Sequence, residues 1–65
     1  MKNRQGKSVN ERLKEEILYI NQVKNTEHQK ILANRALGSV DIAVEFGLIT
    51  YSEWELYIKH IFKFV

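Results

Sequence analysis

Apolar residues recur along this chain at spacings of three and four, and strand-type alternation is not sustained in any segment. The first such run holds Val9, Leu13, Ile17, Ile20 and Val23, one apolar stripe of a helix. Ser8 followed three residues later by Glu11 supplies a capping box, so the helix is predicted near 9–24. Glu16 falls within the stripe, near an edge where its carboxylate reaches water. Leu18 projects from the opposite side.

Asn25-Thr26 interrupts the pattern, and Thr26 with Gln29 offers a second capping box. The helix that follows is predicted to run over 27–46. Leu32, Ala33, Ala36, Leu37, Val40, Ala43 and Val44 make its broad apolar face, and Ile31, Ile42 and Phe46 make a narrower one. Lys30, Asn34, Asp41 and Glu45 fill the wedge between. A helix apolar on two sides packs against two neighbours, or against one neighbour and another chain. Gly38 costs about 1 kcal/mol relative to alanine in a helix interior. It lies on the polar side, where a close helix crossing is one reason to keep it.

Gly47 ends this helix, being the residue type that most easily adopts the left-handed conformation after a last turn, and Leu48 is placed to supply the accompanying apolar contact. Thr50 with Glu53 forms a third capping box, and Ile49 with Trp54 occupies the positions of a hydrophobic staple. The last helix, predicted over 51–64, turns Tyr51, Trp54, Tyr57, Ile58, Ile61, Phe62 and Val65 to one side and Leu56 to the other. That arc is wide for a short helix. It makes up most of a core, or part of it closes on a second subunit. Tyr57, Phe62 and Phe64 are the candidates for the latter, together with Leu18 and Leu56, since aromatic residues are enriched at interface centres. The expected fold is all-α: a small three-helix bundle, or a helical hairpin plus an N-terminal helix, with completion by dimerisation as the alternative. Residues 1–7 read as a flexible basic arm and 8–65 as a single helical domain.

Composition narrows this further. A domain of 65 residues has a marginal core and leans on disulfides, a metal, regular helix packing or self-association. The chain has no cysteine, which removes disulfides and thiolate metal sites and fits a cytoplasmic setting. The basic start is not followed by an apolar signal-type run, and no stretch reaches the roughly 20 apolar residues of a membrane span. The formal net charge of +2 is uneven, because Lys2, Arg4, Lys7, Arg12 and Lys14 face only Glu11 in the first part of the chain. Such a cluster is either a solvated terminus or a contact for nucleic-acid phosphates.

Catalytic chemistry needs a nucleophile, a base and a group to orient it. Ser8 and Ser52 fall at a cap and in a first turn, His28 and His60 lie far apart in sequence, and no glycine-rich phosphate loop exists. A metal site from the two histidines with Glu27 or Glu53 lacks the repeated i, i+3 or i+4 ligand spacing of helical sites. No enzyme activity, cofactor or metal is expected. A helix-turn-helix reader of DNA meets an obstacle at Glu53, where an aliphatic residue should pack onto the first helix, and Glu53 and Glu55 would meet phosphates with like charge. The same two glutamates dilute the cationic face that a membrane-surface helix needs.

Gly47-Leu48-Ile49-Thr50-Tyr51-Ser52-Glu53-Trp54, followed by Ile58 and Ile61, resembles the turn and second helix of short C-terminal (SHOCT) and SHOCT-like domains. Those carry a helix, a Gly-[Leu/Val]-Ile-[Thr/Ser] turn, then Glu-Glu-[Phe/Tyr] and a second apolar-ended helix. Glu27-His28-Gln29-Lys30 through Ala43 is similar to the first helix of small SHOCT-like proteins from Firmicute prophages and integrative elements, so the resemblance covers roughly 27–63. Ser52 stands where an acidic residue is usual, and Trp54 where Phe or Tyr is usual. The resemblance implies a helical hairpin with an oligomerisation or protein-interaction role in a phage or mobile-element setting, and it carries no catalytic residue. The expected partner is another protein or a second copy of the chain; the alternative is nucleic acid bound by Lys2, Arg4, Lys7, Arg12 and Lys14.

Overall fold

The computed structural model describes residues 8–65, and the basic arm at 1–7 lies outside them. Three helices follow one another: α1 (Val9–Gln22), α2 (Thr26–Glu45) and α3 (Tyr51–Phe62). No strand occurs among the described residues. The fold is a small all-α three-helix bundle.

Local chemistry sets the ends. Ser8 and Glu11 form the expected reciprocal box at α1, with the Glu11 amide 3.1 Å from Ser8 Oγ and the Ser8 amide 3.0 Å from Glu11 Oε1. At α2 the expectation of a Thr26 cap is corrected. Asn25 is the N-cap, its Oδ1 accepting from the His28 amide at 2.9 Å. Asparagine is the better capping residue of the two, so the helix starts one residue earlier. Gln29 is thereby released from a cap role, and its Nε2 donates to the Ile20 carbonyl at 2.9 Å, tying the start of α2 to the end of α1. Val23 is not in α1; it is the extended C-cap.

Between α2 and α3, Leu48 N–H bonds the Ala43 carbonyl at 2.8 Å and Gly47 N–H bonds the Val44 carbonyl at 3.1 Å. This is the Schellman arrangement, and Gly47 carries the positive φ of 75° that it requires. Leu48 stays more than half exposed, and Ile49 enters the core instead. Thr50 and Glu53 then form the third box, at 2.8 and 3.1 Å.

The core gathers Leu13 and Ile20 of α1, Ala33, Ala36, Val40 and Ala43 of α2, Ile49 of the turn, and Tyr57 and Ile61 of α3. Three alanines on α2 keep that helix close to both neighbours. Val9, Ile17, Leu32, Leu37, Val44, Trp54, Ile58 and Phe64 pack against this cluster while half-buried. Tyr51, Phe62 and Val65 remain exposed, so the aromatic arc of α3 is wider than the face its neighbours cover. Gly38 is exposed, with nothing within 4 Å of where a Cβ would stand, so no helix among the described residues crosses there. Gly38→Ala is therefore expected to stabilise the isolated monomer by about 1 kcal/mol, read by thermal or urea unfolding at low protein concentration.

Candidate interaction groove between the first and third helices

α2 packs along both other helices, whereas α1 and α3 touch each other much less. The hydrogen bonds that join the latter pair gather on Asn10, near the start of α1. Asn10 Nδ2 donates to Glu53 Oε2 at 3.2 Å, and the Tyr57 hydroxyl donates to Asn10 Oδ1. Glu53 thus serves its own helix cap with one carboxylate oxygen and α1 with the other.

The Thr50 backbone N–H beside it holds the Glu53 carboxyl below its ordinary value of 4.5, against a smaller opposing effect of desolvation and with help from Asn10, the Thr50 hydroxyl and Lys14. A carboxyl depressed in the folded state contributes stability above its unfolded pKa, and this contribution is lost as pH falls through the lower folded value. Acid unfolding should therefore be less steep in Glu53→Gln than in the parent chain, measured by helicity against pH below about 4.5. Burial pushes the Tyr57 hydroxyl above its ordinary 10.0, with the Glu53 charge adding to the effect. Asn10→Ala strips the buried hydroxyl of its side-chain acceptor, and a loss of about 1–2 kcal/mol in urea unfolding is expected.

Past this polar end the seam opens into a groove of about 400 Å³ lined by Lys14, Ile17, Leu18, Leu56, Tyr57 and His60. Ile17 and Tyr57 supply its more buried part, while Leu18 and Leu56 stand 59% and 56% exposed. Lys14 and His60 bring the polar atoms. The His60 Nδ1 lies 2.8 Å from the Leu56 carbonyl of its own helix.

The five apolar candidates divide accordingly. Leu18, Leu56 and Tyr57 line one groove, although they read from sequence as projecting from different faces. Tyr57 is only 7% exposed and belongs to the core, so what it offers is part of the groove floor. Phe64 is half-buried against the core, and Phe62 is exposed away from the groove lining. Of the basic candidates, Arg12 and Lys14 are exposed on α1, and Lys2, Arg4 and Lys7 lie outside the described residues. Sequence reasoning did not single out Ile17, Lys14 and His60 as neighbours of this groove, because only the packing of α1 beside α3 brings them together.

His28 and His60 are not gathered with carboxylates; among the described residues no group of three or more His, Asp and Glu side chains is arranged to hold a metal ion. No helix among those residues is long and apolar enough to cross a membrane. Comparison of the chain with models of known families, with curated proteins and with solved structures finds no match.

Proposed function

We propose that this chain is a non-enzymatic protein-interaction module that docks an apolar segment of a protein partner in the groove between α1 and α3. The observation that carries this reading is the pair Leu18 and Leu56, two leucines more than half exposed on either side of one groove. Scattered single leucines mean little on a protein surface, but two that converge over a partly buried apolar floor resemble a helix-binding groove. Lys14 and His60 at its rim favour a segment carrying acidic residues beside its apolar anchors. The SHOCT-like character of the hairpin belongs to the same reading and suggests a cytoplasmic phage or mobile-element accessory protein that binds another protein or itself.

A capture experiment from cells of the source organism, run in parallel with the parent chain and a Leu18→Glu/Leu56→Glu double variant, tests this. A specific partner should be retained by the parent and lost by the variant, with helicity unchanged in both. Equal capture by both would contradict the groove.

A second reading rests on Arg12 and Lys14, exposed on α1 and continuous in sequence with Lys2, Arg4 and Lys7. Here the chain is a small nucleic-acid-binding regulator. Its signature is affinity for duplex or single-stranded DNA or RNA that falls steeply with salt and is lost on deleting residues 1–7. Binding that ignores both changes would remove it.

A further inference from the structure

The outer face of α2 is a second unpartnered surface, separate from the α1–α3 groove. Ile31 and Ile42 are each more than half exposed there and Phe46 is 74% exposed. At 3.6 residues per turn these three lie within one stripe about 22 Å long. Gly38, read from the sequence as lying on the polar side, stands at the edge of this stripe and between the isoleucines along the helix. Its backbone is ordinary helix, since Gly47 is the positive-φ glycine among the described residues, so no turn requires it. Nothing among the described residues comes within 4 Å of its missing Cβ either. A helix-weakening residue is thus held where neither conformation nor intrachain packing asks for it.

The polar residues around the stripe are self-complementary. Its N-terminal half carries Glu27, Lys30 and Arg35, a net basic set, and its C-terminal half carries Glu45 and Asp41, the latter also accepting from Trp54 Nε1 at 2.7 Å. A parallel pair of these helices would set basic half level with basic half. An antiparallel pair crossing at Gly38 sets each basic half against the acidic half of the other copy. Lys30 then lies about 12 Å from the crossing point and Glu45 of the second copy about 10.5 Å from it on the same side. The two residues flank the same edge of the stripe, and a two-fold antiparallel pairing brings like edges together. Ile31 likewise falls between Ile42 and Phe46 of the other copy.

We propose that this face binds a second copy of the chain, as an isologous antiparallel α2–α2 pair whose close approach is centred on Gly38. Glycine at the crossing lets the two backbones come nearer than any side chain would allow, and the symmetric Lys30–Glu45 pairs select the antiparallel sense. The inference uses a different surface from the groove and stands or falls independently of it. One helix pair buries less than a standard stable interface, so the dimer dissociates within the micromolar to millimolar range.

Sedimentation velocity on the full chain over that range tests it. The parent should shift from monomer to dimer, and Gly38→Gln should weaken the dimer by roughly tenfold or more while raising the melting temperature of the dilute monomer. A merely structural glycine would not separate the two effects. Lys30→Glu and Glu45→Lys should each weaken self-association, and an equimolar mixture of the two variants should restore it as a heterodimer. A strict monomer at millimolar concentration overturns the proposal. So does a dimer that is indifferent to Gly38→Gln and to the charge exchange; if such a dimer is lost on Leu18→Glu/Leu56→Glu, the copies meet through the groove instead.

Discussion

Ile61→Ala is expected to leave the chain largely unfolded at room temperature, whereas Phe62→Ala, one position away, should change stability by no more than about 0.5 kcal/mol. Ile61 is fully buried on α3 against the core, and Phe62 is exposed. Truncating a fully buried isoleucine costs about 2–5 kcal/mol, through lost transfer energy and the cavity left behind. A single core of this size supplies only about 3–5 kcal/mol in total. Circular dichroism at 25 °C and urea titration check both variants, and a folded Ile61→Ala with a parent-like midpoint would show that the core is misplaced.

Gly47→Val is the second large effect. A β-branched residue at φ 75° is strained whatever space surrounds it. About 2–3 kcal/mol should be lost, which for a domain of this length lowers Tm by roughly 10–20 °C. The space around Gly47 is open, so the loss comes from the backbone alone. Gly47→Asn should therefore be milder than Gly47→Val, because asparagine tolerates the left-handed region. Equal melting of the two variants would mean that the glycine is kept for something other than its conformation.

How far the fold could be read in advance differs from element to element. The two capping boxes at Ser8 and Thr50, and the glycine stop at Gly47, are local chemistry, and each stands where the sequence put it. The Thr26 box failed because two adjacent residues, Asn25 and Thr26, both qualify as caps, and the competition is settled by small differences in preference. The broad face of α2 was legible because its period is helical and its alanines are small enough for contact on both sides. The reach of the α3 face was left open between core and outer contact. Periodicity marks which residues share a side, but how much of that side is covered depends on neighbours, and α1 covers little of it; Tyr51, Phe62 and Val65 were left in solvent as a result.

The candidate site shows the same limit more sharply. Leu18 and Leu56 each looked solitary, on the far side of its own helix. Only the packing of α1 beside α3, fixed in part by the Asn10–Tyr57 and Asn10–Glu53 hydrogen bonds, turns them toward a shared groove. Tyr57 was ambiguous for a related reason. Its ring belongs to the core and its hydroxyl to a polar link whose acceptor lies 47 residues away, a pairing no local pattern announces.

The proposed function is tested most directly by site-specific photo-crosslinking in cells of the source organism, with the photoreactive residue at position 18 or 56 and, as a control, at the exposed position 27. The account predicts one common partner protein labelled from 18 and 56 and absent from 27. No label from either groove position, or the same labelling from all three, would contradict it.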